Sequence, residues 1–206
     1  MSYQKYPSAL GWIDIETTSL PVEDCERQVI DFSTVHVLEF AVVLTDFDLN
    51  PLGGYKEVLK LTHEAAEVIR ANEYVRKMHV VNGLLKESIN APADNTLQYV
   101  EGEVIKLIKE TTTFDEGEFI IAGSGVAAFD HPLIKVKMPR LAKYFAYYPF
   151  DIGVERRVSK ILARRDIINP VKASFEDGVK VHRAMDDVKA HLLEAERYRD
   201  WFRSVA

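Results

Sequence analysis

Cysteine is almost missing from this chain: Cys25 stands alone among 206 residues. No intrachain disulfide can form, and a Cys-based zinc site is excluded. That usage fits a reducing compartment, so a cytosolic protein is expected, with Cys25, set among acids, as a bystander. Long apolar runs are also lacking. The opening MSYQKYPSAL carries no signal-type stretch and no segment reaches membrane-span length, so neither a leader nor a membrane partner is expected. An excess of positive charge is absent too. Lys and Arg number 26 against 32 Asp and Glu, for a net charge of −6 and a pI near 5.6. A groove for long duplexes normally shows as a basic domain, so this balance argues against one. It leaves room for a short nucleic acid held through metal ions. Repeats and low-complexity tracts are absent.

What is present is ordinary globular material. Hydrophobic residues make up 47% and charged residues 28%, which excludes a disordered chain. The length predicts a single domain over 1–206 with a good core. ALGWIDIE (9–16) reads as a buried strand, and the polar, Pro-bearing TTSLPVEDCERQ (17–28) as a loop. HVLEFAVVLTD (36–46) and YKEVLKL (55–61) read as two more strands, joined through a turn over 47–54 that ends in Gly53 and Gly54. Helices are expected over 63–70 and 73–88. A further one is expected with Asp94 as its cap and Leu97, Val100, Val104, Leu107 and Ile108 on one face. EFIIAGS (118–124) and YYPFDIG (147–153) read as short strands. VAAFDHPLIKVKM reads as a helix interrupted by Pro132, and 155–166 as another helix. The closing helix, 183–203, carries Val188, Leu192, Ala195 and Phe202 on one face, with acids near its start and arginines near its end. The pattern predicts an α/β fold: a mixed sheet, antiparallel in its first three strands and then parallel, flanked by helices.

Two acids interrupt the first strand. Asp14 and Glu16 are two residues apart, so they point to the same face. Paired like charges repel, and burial sharpens the conflict. A divalent cation resolves it, because carboxylate oxygens suit hard ions such as Mg²⁺ or Mn²⁺. Alone, so short and common a motif reads as two solvated acids at an exposed strand end. Downstream, Asp130 follows the EFIIAGS strand where a helix begins, in the position of a cap or a ligand. VHRAMDDVKAHLL (181–193) supplies His182, readable as a cap or a surface residue, and Asp187, whose competitor is Asp186. The helical pattern favours Asp187, because it neighbours the apolar stripe through Val188. Four acids and one histidine at element ends form the type of cluster that two-metal phosphoryl transfer requires.

DIE at 14–16, FD at 129–130 and H-x4-D at 182–187 together resemble the DEDD exonuclease superfamily in its histidine-bearing branch, and within it the oligoribonuclease family. The resemblance extends to WIDIETTSL, to YVRKMHVVNGLL (74–85), to KMPRLAKYFAYYPFD (137–151) and to HRAMDDVKAHLLEAERYRDWF (182–202). It implies an RNase-H-like fold, two divalent ions (Mg²⁺ or Mn²⁺) and 3′→5′ removal of nucleoside 5′-monophosphates from short single-stranded RNA. By matching positions, Asp14 would bridge both ions, Glu16 and Asp187 would hold the nucleophile-side ion, and Asp130 the other. His182 would be the general base. Leu20 matches a leucine that wedges against the terminal base, with a core leucine as the plain alternative. His79 matches a histidine near the bound nucleotide, with a surface histidine as the alternative. Tyr147 matches a tyrosine that reaches the substrate across a homodimer, with an ordinary strand tyrosine as the alternative.

The chain departs from the family at several points. Its 17–37 segment is longer, the aromatic position ahead of His79 falls on Glu73 by strict register with Tyr74 beside it, and Gly123-Ser124-Gly125 is followed by one extra residue before Asp130. Tyr148-Pro149 replaces a basic residue that faces the substrate's 5′ phosphate. An intact metal site with an altered pocket is therefore expected. Three rivals stand beside this reading: a single-stranded DNA exonuclease of proofreading or repair type, a catalytically silent binding dimer on the same fold, and an unrelated carboxylate phosphatase.

Overall fold

The computed structural model describes residues 9–24, 29–113, 116–162 and 182–205. Cys25 and the stretch 163–166, expected to end a helix, lie outside these residues. The strands are β1 (Leu10–Thr17), β2 (Val22–Asp24), β3 (Val29–Asp31), β4 (Val37–Thr45), β5 (Pro51–Val58), β6 (Ile120–Gly123) and β7 (Phe150–Asp151). The helices are α1 (His63–Ala71), α2 (Glu73–Val81), α3 (Leu84–Asn90), α4 (Leu97–Thr111), α5 (Asp130–Lys137), α6 (Pro139–Ala142), α7 (Ile152–Leu162) and α8 (Ala184–Val205).

Five strands form one sheet in the order β5-β4-β1-β6-β7. β1 pairs antiparallel with β4, and β4 with β5; β6 pairs parallel with β1, and β7 with β6. This is the mixed sheet that the strand pattern predicts. β1 alternates between two cores. Ile13 and Ile15 pack with Phe40 and Val42 against Val100, Val104 and Ile108 of α4 and Leu133 and Ile134 of α5. Leu10 and Trp12 pack on the other face with Ala184, Val188, Ala195 and Tyr198 of α8. Trp12, fully buried, keeps its indole N–H satisfied through Thr45 Oγ1 at 3.0 Å. At Gly11 a Cβ would come within 2.2 Å of the Phe119 ring, so only glycine fits there.

Several expectations need correction. Within the segment read as a loop, Val22–Asp24 forms β2, which pairs antiparallel with β3. The turn between β4 and β5 closes earlier than predicted. Asp46 accepts from the backbone N–H of Asp48 and Asn50 and from Asn50 Nδ2, at 2.8–2.9 Å. Gly53 and Gly54 therefore belong to β5. The 73–88 helix splits into α2 and α3 at Gly83, which takes a left-handed φ of 81°. Thr96, not Asp94, caps α4, its hydroxyl accepting from Tyr99 N–H. Pro132 does not interrupt α5; it sits in the first turn, where a missing N–H costs nothing. Tyr147 and Tyr148 lie in a bend ahead of the two-residue β7, not on a strand. Phe202, expected on the buried stripe of α8, is 48% exposed.

Candidate active site

The face of β1 that carries Leu10 and Trp12 continues through Asp14 and Glu16. It changes from apolar to acidic where the start of α8 comes to lie over it. α8 runs back along the sheet, so its far end reaches the β4–β5 turn, where Arg203 pairs with Asp48. Its near end brings Asp187 and the preceding His182 to Glu16. One ligand atom each from Glu16, His182 and Asp187 lie within 4.8 Å of one another. Glu16 is 7% exposed and Asp187 1%, while Asp186 points outward. The choice of Asp187 over its neighbour thus follows the helical stripe.

Asp14 is half-buried two residues before Glu16, and Asp130 is buried as the first residue of α5. Neither belongs to the tight three-residue group. Asp130 does not act as the helix cap: Phe129 holds that position and makes no side-chain cap bond.

His79 is fully buried, so it is not a surface histidine. Its Nε2 lies 3.0 Å from the Thr17 carbonyl and 4.0 Å from Glu16 Oε2. The carbonyl can only accept, so Nε2 carries the proton. Burial pushes the His79 pKa down, against the Thr17 hydrogen bond and with help from nearby His182. The ring is therefore neutral at pH 7 and adds no charge to balance Glu16. Two buried carboxylates within 4.8 Å of each other need a positive charge. A hard divalent ion fits the oxygen donor set that Glu16 and Asp187 present. Leu20 is 73% exposed, which rules out a core leucine. Tyr147 is 78% exposed, its ring edge-on to Tyr148 at 4.6 Å between centroids.

Five residues around the site escaped the sequence reading: Asn82, Arg183, Glu39, Glu87 and Asp151. His182 has a left-handed backbone, φ 50°, which for a residue other than glycine costs about 1–2 kcal/mol. Its carbonyl accepts from Asn82 Nδ2 at 2.6 Å. Arg183 forks between Glu39, fully buried on β4, and Glu87 on α3. These hydrogen bonds, Glu39 first, raise the Arg183 pKa further above its usual range. The available signal was Glu39, a lone acid inside the apolar run VLEFAVVLT. On the far side of the site, Asp151 accepts from the N–H groups of Gly125, Ala127 and Gly153, which fixes the loop that leads to Asp130.

No protein-family model matches the sequence. Individual relatives do. The chain is 32% identical to an oligoribonuclease from Corynebacterium diphtheriae, over 92% of this chain and 81% of the relative. It is 32% identical to one from Mannheimia succiniciproducens (94% and 92%) and 28% identical to one from Pseudomonas aeruginosa (95% and 97%). Among solved structures, exonuclease I from Methylocaldum szegediense superposes with a TM-score of 0.59 at 21% identity. That match takes in 94% of this chain and 40% of that one. A product-bound exonuclease I gives 0.63 at 15% identity, with 94% and 44% covered. The chain spans about two fifths of those structures, and at such identity the likeness shows the fold alone, an RNase-H-like mixed sheet. The curated relatives are matched over most of their length, and with them the chain belongs to the oligoribonuclease family.

Proposed function

We propose that this chain is a metal-dependent 3′→5′ exonuclease that shortens single-stranded RNA oligonucleotides to nucleoside 5′-monophosphates. The observation that carries the reading is the convergence of Glu16, His182 and Asp187, from opposite ends of the chain, to within 4.8 Å. Asp14, Glu16, Asp130 and Asp187 would hold two Mg²⁺ or Mn²⁺ ions. Such ions, when bound, acidify the attacking water and offset the charge that grows on the leaving oxygen. His182 would take the proton from that water, the general-base role for which imidazole is the side chain most often used. His79, anchored to the Thr17 carbonyl beside Glu16, would stand near the terminal nucleotide. Leu20, exposed beside the site strand, offers an apolar edge to the terminal base. Tyr147 of a homodimer partner would reach the substrate through its exposed ring. Action in the cytoplasm belongs to the same proposal; no described helix is long and apolar enough to cross a membrane.

The test is incubation with 5′-labelled RNA and DNA oligomers of graded length, with Mg²⁺ or Mn²⁺ against EDTA. Stepwise shortening of RNA from the 3′ end, abolished by EDTA, is the expected result. Preference for DNA would assign the single-stranded DNA reading instead. Binding without cleavage would assign the silent one.

A further inference from the structure

We propose that Arg183 is a positioning residue for His182: clamped between Glu39 and Glu87, it holds the left-handed turn that sets the imidazole against Glu16 and Asp187. The catalytic role assigned to His182 rests on the proposed exonuclease reading, whereas the positioning itself is a matter of geometry.

Three successive residues are tied down, His182 by Asn82 and both Arg183 and Ala184 by Glu39. The His182 carbonyl accepts from Asn82 Nδ2 at 2.6 Å, at the end of α2. The Arg183 guanidinium donates Nε to Glu39 Oε2 and Nη2 to Glu39 Oε1, both at 3.0 Å. Its outer edge donates Nη1 to Glu87 Oε1 at 2.9 Å and Nη2 to Glu87 Oε2 at 2.7 Å. Ala184 N–H, at the start of α8, donates to Glu39 Oε2 at 3.0 Å. A plain helix cap would need only the last of these. The rest hold the carbonyl of the positive-φ residue itself and the side chain that follows it, in a conformation that persists only where its surroundings over-determine it.

Glu39 connects the clamp to the site. It is the direct cross-strand partner of Glu16 in the β1–β4 pair. The path from Glu16 to His182 therefore runs across one strand pair, one carboxylate and one guanidinium. The site's acid and its histidine are indexed to the same pair of strands, although their positions lie far apart in the sequence. Only a planar fork engages two carboxylates in this way; a lysine ammonium can reach both charges but cannot fix the plane.

The experiment has a structural and a kinetic arm. Crystal structures of the wild-type protein and of Arg183→Gln are compared at His182. The expected result is a His182 ring turned away from Glu16 and Asp187 in the variant, with the sheet unchanged; an unmoved ring overturns the proposal. This arm does not depend on turnover, so an inactive wild type would defeat the exonuclease reading while leaving the positioning decided. In the kinetic arm, Arg183→Gln is expected to lower kcat by about 10²-fold with KM little changed, and Arg183→Lys to recover part of the loss. In a His182→Ala background the same change should have no further effect, because both substitutions remove one function. An equal further loss in that background shows a general structural role and overturns the proposal. Should Arg183→Gln fail to fold, Glu87→Gln loosens the clamp from its half-exposed side. A smaller loss of kcat that also vanishes in the His182→Ala background is then expected, and a loss that persists there overturns the proposal.

Discussion

Glu16 and Glu39 face each other across the β1–β4 pair, and both carboxylates are buried. Like charges directly opposite on a sheet repel. Arg183 answers Glu39 with a fork, whereas Glu16 stands with Asp187 and with a His79 that burial drives toward its neutral form. Two buried carboxylates so close to each other, Glu16 and Asp187, present the oxygen donors that suit a hard divalent cation.

Glu16→Gln is therefore expected to stabilise the metal-free protein by up to about 1 kcal/mol, the scale of a cross-strand charge pair. Thermal melts with EDTA and with Mn²⁺ test this. The wild type should gain in melting temperature on adding Mn²⁺, by mass action on the native state, and the variant should gain much less. Equal gains would remove Glu16 from the ligand set.

His182→Ala should lower turnover by about 10² to 10⁴, the range for loss of a general base. Metal affinity should change little, because the carboxylates carry the ions. Calorimetric titration with Mn²⁺ decides the role: loss of binding in this variant would make His182 a ligand.

The helix that begins with Asp130 supplies a pH effect through His131. This residue is 4% exposed, its Nε2 has no hydrogen-bond partner, and burial first, then Lys135, pushes its pKa below 6.5. The folded state binds this proton less readily than the unfolded chain. The stability that the neutral ring contributes is full above pH 6.5 and is lost as pH falls through the lowered folded value. Denaturant unfolding from pH 7.5 downward should show His131→Leu losing less stability on acidification than the wild type. Identical slopes would contradict that account.

Much of this site is legible in the sequence because burial and charge conflict there. Asp14 and Glu16 stand out in an apolar strand, and the stripe through Val188 picks Asp187 rather than Asp186. The clamp is not legible in the same way, since Arg183 and Glu39 are 144 positions apart and only the folded sheet brings them together. Local errors share a cause: neighbouring residues of equal propensity compete. Asp94 and Thr96 are both good caps, and the hydroxyl that meets Tyr99 N–H wins. Gly53 and Gly54 look like turn residues, yet the Asp46 carboxylate closes the turn first. Tyr147 and Tyr148 look like strand residues, yet they precede the strand and expose both rings.

Those two rings bear on assembly. The segment 143–151 holds five aromatics in nine residues, and Tyr147 and Tyr148 are 78% and 77% exposed. Phe145 belongs to the core, whereas the two adjacent exposed tyrosine rings fit an interface. Light scattering should give a homodimer, and Tyr147→Ala should impair cleavage of the shortest RNAs most. With Tyr148 and Pro149 in place of a basic residue, the preference for dinucleotides over pentamers should be shallow. A monomer at working concentration would refute the assembly, and a steep dinucleotide preference would refute the altered pocket.

The central claim is tested most directly by the products of one reaction: an RNA pentamer with Mn²⁺, treated with wild-type protein or Asp14→Ala and resolved by mass spectrometry. Nucleoside 5′-monophosphates are expected, released one at a time from the 3′ end by the wild type and not at all by a folded Asp14→Ala. Internal cleavage, 3′-phosphate products, or wild-type turnover in Asp14→Ala would contradict it.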